Sequence, residues 1–209
     1  LYNTIYYKSG WQDAFKSSQT KQDTFTAADG AAQTVDFMHR TESGSYRKGD
    51  GYTAASRSLN YGRMVFVLPD EGVTPESLLQ RQGFLAELTG DYNAAELVWS
   101  VPKFDVHSSM DLAELLQDMG VTDAFDKSKA DFSPLSDEAA VLAGVMQAAR
   151  VKVDEDGVEG AAYTEAIVDL TCAEAPGAKP VEMFLDRPFV FVVATSDGIP
   201  LFVGTVQSV

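Results

Sequence analysis

Phe189–Thr195 reads F-V-F-V-V-A-T, apolar at every position before the last, and predicts a strand buried on both faces. Pro200–Val206 predicts a second strand of the same kind. At the other end, the β-branched and aromatic run Leu1–Tyr7 predicts a strand that enters a turn at Lys8-Ser9-Gly10. Gln33–Arg40 predicts a strand with Val35, Phe37 and His39 on one face. Tyr52–Asn60 and Tyr61–Leu68 predict a strand pair, stopped by Pro69-Asp70-Glu71-Gly72. Thr74–Gln80 and Gln82–Leu88 predict short helices, and Glu96–His107 an extended segment. Ser109–Met119 predicts a helix capped by Ser109 and ended by Gly120, with Leu112, Leu115 and Leu116 at helical spacing. Ser136–Ala143 is helical in character. Val145–Asp154 is extended, with Val151 and Val153 alternating against Lys152 and Asp154. This strand-rich order with short helices predicts the α+β class. There is no internal repeat and no linker between two cores, so residues 1–209 read as belonging to one domain.

Between these elements lies Gly157–Thr171, G-V-E-G-A-A-Y-T-E-A-I-V-D-L-T. Alternate residues from Val158 are Val158, Gly160, Ala162, Thr164, Ala166, Val168 and Leu170, none charged and most small. The intervening set, Glu159, Ala161, Tyr163, Glu165, Ile167 and Asp169, carries the acidic groups. Side chains alternate faces along a strand, so this segment is competent to form one with a compact apolar face. Yet it leads into the loop-like Cys172–Pro180 and is flanked by Gly157 and Gly177. Two readings stay open on this pattern: an ordinary surface edge strand with a long loop after it, or a loop that becomes a strand.

The net charge of −15, with a pI near 4.4, makes a surface that repels phosphate backbones and argues against nucleic acid as a partner. A chain of 209 residues, 45% hydrophobic, can bury a sizeable core. No apolar run approaches the ~20 residues that span a bilayer. The single cysteine, Cys172, excludes an internal disulfide. The chain opens on Leu1 inside a strand-like run, which predicts that an N-terminal part precedes it and that any signal sequence was lost with that part.

The flanks of the alternating segment carry a resemblance. Val153-Asp154-Glu155-Asp156-Gly157 followed by Glu159-Gly160-Ala161-Ala162 resembles the serpin hinge, roughly V-N-E-E-G-T-E-A-A-A. Asp186-Arg187-Pro188-Phe189-Val190-Phe191 with Phe202-Val203-Gly204-Thr205-Val206 resembles the serpin C-terminal strands. Asn3-Thr4-Ile5-Tyr6-Tyr7-Lys8-Ser9-Gly10-Trp11 is similar to the family's N-A-I-Y-F-K-G-x-W. Phe37-Met38, Leu68-Pro69-Asp70-Glu71-Gly72 and Val101-Pro102-Lys103-Phe104 follow in serpin order. The match runs from Leu1 to Val209 and corresponds to the C-terminal half of the family's domain, with the N-terminal half missing. Gln147, the acidic surface and the scarcity of cysteine give it a bacterial-like character.

The resemblance implies a partial serpin fold: large mixed and antiparallel sheets, short helices and an exposed reactive-centre loop at about residues 157–181. It also implies a suicide inhibitor rather than an enzyme, with no cofactor. A serine or cysteine protease attacks the loop, and the loop's N-terminal part then inserts into the main sheet and traps the acyl-enzyme as a covalent complex. Family convention places the scissile bond fourteen residues after the hinge glycine, at Thr171–Cys172, which suggests an elastase-like target. A register one residue earlier gives Leu170 and a chymotrypsin-like target. The implied hinge is Glu155, Gly157, Val158, Gly160, Ala161 and Ala162, and the implied sheet-opening region is Trp11, Lys103, Glu155 and Gln147, with Lys103 and Glu155 as an ion pair. Gln147 stands where many animal serpins carry a histidine. Val158 replaces the usual Thr or Ser, and Tyr163 is bulky but outward-facing. An extracellular or cell-surface location follows from the family. So does the expectation that residues 1–209 alone would not inhibit.

Two other classes of function compete. A non-inhibitory serpin, acting as carrier or chaperone, would keep the fold without trapping proteases. The small Gly160-Ala161-Ala162 run opposes that reading. Cys172 as a nucleophile with His39 or His107 needs a motif around it that the sequence lacks. No His/Cys/Asp spacing indicates zinc, and Asp70-Glu71 and Asp154-Glu155-Asp156 read as solvated acidic turns.

Overall fold

The computed structural model describes residues 2–4, 7–135, 138, 140–158 and 179–209. These form two compact units. The smaller takes Leu1–Tyr7 and Val106–Val151, and the larger takes Lys8–Asp105 and Lys152–Val209. The strands in chain order are β1 (Tyr2–Thr4), β2 (Ser9–Gly10), β3 (Thr20–Thr26), β4 (Ala32–Gly49), β5 (Tyr52–Leu59), β6 (Gly62–Pro69), β7 (Asn93–Pro102), β8 (Phe104–Asp111), β9 (Met146–Val153), β10 (Gly157–Val158), β11 (Val181–Phe184), β12 (Phe189–Ala194) and β13 (Pro200–Val206). The helices are α1 (Pro75–Leu79), α2 (Phe84–Glu87) and α3 (Ala113–Asp118).

The larger unit is built on a sheet ordered β11-β7-β4-β5-β6-β12-β13, with β3 beside the first part of β4. The strand pair expected from Tyr52 to Leu68 is the β5–β6 hairpin, in register from Tyr52↔Pro69 to Leu59↔Gly62. Its tight turn depends on Gly62, whose φ is +110° and where a Cβ would meet the Ala194 carbonyl oxygen at 2.2 Å. β12 is antiparallel to both β6 and β13 and is buried at every residue. One of its faces sends Phe189 and Phe191 into an aromatic core, where Phe66 meets Trp99 at 5.6 Å and Phe104 meets Phe189 at 5.7 Å between ring centroids. Its other face sends Val190 and Val192 against Tyr52, Val65, Val67, Leu78, Phe84 and Leu88, where α1 and α2 cover the sheet. Burial of one such Phe side chain contributes roughly 2–3 kcal/mol, which explains why an uninterrupted apolar run is tolerated there.

Several expectations are corrected. β13 is buried on one face only: Phe202 and Val206 are buried, while Leu201 and Val203, which alternate to the other face, are exposed. β4 runs 18 residues, well past Arg40, pairing with β3, β7 and β5 along its length. β3 and β11 carried no strand signal, and Ser9–Gly10 forms β2 rather than a turn.

In the smaller unit, β1 pairs in parallel with β9, with Tyr2↔Met146, Asn3↔Gln147 and Thr4↔Ala148. β8 also pairs with β9. Ser109 is not a helix cap, because β8 continues through Asp111 and α3 starts only at Ala113, where the Asp111 carboxylate accepts the Ala113 N–H at 3.0 Å. The described residues of the expected helix at Ser136–Ala143 are not helical. There the Leu142 N–H is drawn to the carbonyl of Ala124 at 2.9 Å instead of to its own turn. Among the described residues no helix is long and apolar enough to cross a membrane.

Candidate functional site

β9 ends at Val153, and the chain reverses through Asp154–Asp156 into β10. The Asp154 N–H donates to the Gly157 carbonyl at 3.0 Å, and the Asp154 carboxylate accepts the Asp156 N–H at 3.1 Å, closing the turn. β10 then lies between two strands, with Val158 opposite Val153 on one side and Gly157 and Val158 opposite Gly10 and Ser9 on the other. Gly157 faces Gly10, and at Gly157 nothing larger fits. A Cβ on Gly157 (φ +154°) would meet the Ser9 carbonyl oxygen at 2.3 Å and Gly10 Cα at 2.6 Å. Val158 is buried.

The segment after β2 straps this turn. Three successive carbonyls each accept one of its donors: Asp154 from Trp11 Nε1 at 2.9 Å, Glu155 from the Phe15 N–H at 3.0 Å, and Asp156 from the Trp11 N–H at 3.0 Å. On its other side the strap is bonded to the β5–β6 hairpin, through Gln12 N–H to the Ser58 carbonyl at 3.1 Å and Asn60 N–H to the Gly10 carbonyl at 2.9 Å. The turn is therefore tied to the core of the larger unit by backbone groups whose positions depend on the strap.

Glu155 is only 14% exposed at its side chain and is held by two partners. Lys103 Nζ lies 2.9 Å from Oε2, and Thr20 Oγ1 donates to Oε1 at 2.8 Å. Burial pushes the carboxyl up, but the Lys103 ammonium, its own backbone N–H and Thr20 outweigh that and hold it below the usual glutamate range. The hydrogen bond to Glu155 raises the Lys103 ammonium against the opposing effect of burial. Lys103 sits between β7 and β8, and its N–H donates to the Asp36 carbonyl at 2.9 Å. The ion pair thus connects a sheet junction to the turn.

Of the residues singled out from the sequence, Trp11, Lys103, Glu155, Gly157 and Val158 come together here. Gln147 belongs to the smaller unit, opposite Asn3 in the β1–β9 ladder. Gly160, Ala161, Ala162, Leu170, Thr171 and Cys172 lie outside the described residues. His39 is in β4 opposite Ser100, and His107 is exposed in β8. Asp70 is taken by Lys48 at 2.7 Å, and Asp154 by Lys152 at 3.2 Å.

Sequence reading missed Ser9, Phe15, Thr20, Glu42 and Arg57. The signal for Arg57 was present: it is the only charge in Y-T-A-A-S-R-S-L and shares the strand phase of Ala55 and Leu59, both buried.

The whole chain, residues 1–209, matches the family model described as Serpin (serine protease inhibitor). It is 34% identical to Iris of Ixodes ricinus over 99% of its length and 56% of that protein. It is 30% identical to plasminogen activator inhibitor 1 of Sus scrofa over 99% of its length and 53% of that protein. Among solved structures, the thermophilic serpin tengpin in its native state superposes with a TM-score of 0.82 at 29% identity, covering 100% of this chain and 55% of tengpin. The chain thus spans about half the length of these relatives, and its α+β architecture is that of about half a serpin fold. On the full-length family match and these identities, the chain belongs to the serpin family.

Proposed function

We propose that residues 1–209 are the C-terminal part of one serpin domain, and that the whole protein is an irreversible suicide inhibitor of serine or cysteine proteases. The observation that carries this reading is β10. At the base of the alternating segment, two residues already lie as a strand between the end of β9 and β2. Among the described residues β9 also pairs with β1 and β8. Residues continuing past Val158 would lengthen β10 and insert as a new strand of that sheet.

Insertion on that path would form roughly a dozen new backbone hydrogen bonds, on the order of 10 kcal/mol in total at ~1 kcal/mol net each. A charge at any inward position would have to be buried unpaired, and Val158, Gly160, Ala162, Thr164, Ala166, Val168 and Leu170 carry none. Val158, the first of them, is buried.

On this reading the scissile bond is Thr171–Cys172, with Leu170 as the alternative, and the target is elastase-like or chymotrypsin-like accordingly. Lys103, Glu155, Trp11 and Gln147 govern the opening of the sheet and touch no protease. The protein acts outside the cell or at its surface, and the bacterial-like source rests on Gln147 and composition. Mixing the full-length protein with elastase- and chymotrypsin-type proteases tests the reading. A covalent complex that survives boiling in detergent supports it, whereas clean cleavage without a complex points to a carrier or chaperone.

A further inference from the structure

Arg57 is a charged side chain with only 3% exposure, inside the larger unit, and the inhibitory reading gives it no role. It lies on β5 and reaches the strap at three places. The guanidinium carbon is 4.0 Å from the Phe15 ring centroid and 4.9 Å from that of Trp11. Nη2 donates to the Asp13 carbonyl between them at 2.6 Å. Glu42 on β4 holds the guanidinium through Nε at 2.7 Å and Nη2 at 3.1 Å, the two-point geometry that fixes an arginine plane. Arg40 backs the same group, with Nη2 on the Asp13 carboxylate at 2.6 Å, Nη1 on the Ala14 carbonyl at 2.9 Å and Nε 2.5 Å from Glu42.

Trp11 and Phe15, the residues Arg57 stacks on, are the ones whose N–H groups hold Asp154, Glu155 and Asp156. Their rings also meet edge to face at 5.9 Å. Removing Arg57 would take the cation from both ring faces and leave the Asp13 carbonyl without its donor, so the strap's three donors would lose a common support. We infer that Arg57 is a positioning residue of the hinge: through Trp11, Asp13 and Phe15 it holds the turn from which β10 starts and biases the cleaved loop toward insertion rather than release. The positioning half stands on geometry alone, and the bias on insertion rests on the inhibitory reading above.

The test uses the full-length protein with Arg57→Met paired with Glu42→Gln, so that no buried carboxylate is stranded, and with Arg57→Lys as the conservative variant. Amide hydrogen exchange reads the strap directly. In the double variant the Trp11 and Phe15 amides should exchange roughly ten-fold faster or more, while the β12 amides Val190–Val193 keep their protection. Arg57→Lys should fall between, since it keeps the charge over the rings but loses the fork. Unchanged exchange at Trp11 and Phe15, or acceleration shared equally by β12, would overturn the inference.

Protease titration reads the bias. The amount of protein consumed per protease trapped should rise about five-fold in the double variant. A wild-type ratio in that variant would overturn the bias. If the wild type itself traps nothing, the inhibitory reading and the bias fall together, and the exchange result alone decides the positioning role.

Discussion

Trp11 Nε1 donates a hydrogen bond to the carbonyl oxygen of Asp154 at 2.9 Å, joining residues 143 positions apart in sequence. Trp11 is 4% exposed, so its indole N–H has little access to water as a substitute partner. This bond, with the Trp11 and Phe15 backbone donors beside it, is why a turn of three acidic residues stays in one place.

Trp11→Phe keeps an aromatic ring and removes the donor. It is expected to cost about 1–2 kcal/mol, because the Asp154 carbonyl loses its partner and the ring presents a weaker face to Arg57. Urea unfolding of the full-length protein measures this, and an unchanged midpoint would show that the bond contributes nothing net.

Gly157→Ala places a Cβ 2.3 Å from the Ser9 carbonyl oxygen, a contact with rigid backbone that only movement of β10 or β2 can relieve. A loss of about 2 kcal/mol or more is expected, together with loss of the covalent protease complex. Gly144→Ala is the matched control: its added Cβ meets nothing within 4 Å, and the change should stay within about 0.5 kcal/mol. Thermal melts of the two variants that moved together would contradict the account of β10.

The Lys103–Glu155 pair sets a pH window. The Glu155 pKa is depressed in the folded state, so its contribution is present above the ordinary carboxyl value of 4.5 and is lost as pH falls through the folded value. The Lys103 pKa is raised, so its contribution is full below the ordinary value of 10.5 and is lost as pH rises through the folded value. The pair therefore supports the turn across the neutral range and fails at both extremes. Lys103 is 37% exposed, so Lys103→Met should cost about 1 kcal/mol or less at pH 7. Below the folded Glu155 value that cost should shrink. A mutant deficit that stays constant from pH 7 to pH 3 would contradict the assignment.

The alternation at the loop gives a paired test on the full-length protein. On the proposed insertion, Thr164→Arg would put a charge in the inward set and should abolish the covalent complex, while Glu165→Arg would change an outward residue and should leave it formed. Gel analysis after incubation with protease reads both, and equal complex formation would remove the inward face from the mechanism.

What the sequence disclosed follows from where each interaction is written. The F-V-F-V-V-A run and the hairpin around Asn60–Gly62 were legible because their patterns are local; the hinge-like motif singled out Glu155 and Gly157, and the Asn3–Trp11 motif singled out Trp11. β3 was not legible: in T-K-Q-D-T-F-T only Phe25 is buried, so no apolar alternation marks the strand. Ser109 looked like a cap because a serine before spaced leucines is a helix signal, yet it lies within β8, which runs on to Asp111. Arg57 needed Glu42 from another strand and two rings from the strap, a constellation that only tertiary structure assembles.

On the proposed mechanism, a segment anchored at Val158 completes a strand once it is cut. Melting of the intact and loop-nicked full-length protein, side by side, measures this most directly. About ten kcal/mol of added strand bonding, in a protein nearly twice the length of this chain, predicts a rise on the order of 10 °C after nicking. Equal melting temperatures for the two forms would mean that no strand is gained, and the inhibitory mechanism would have to be abandoned.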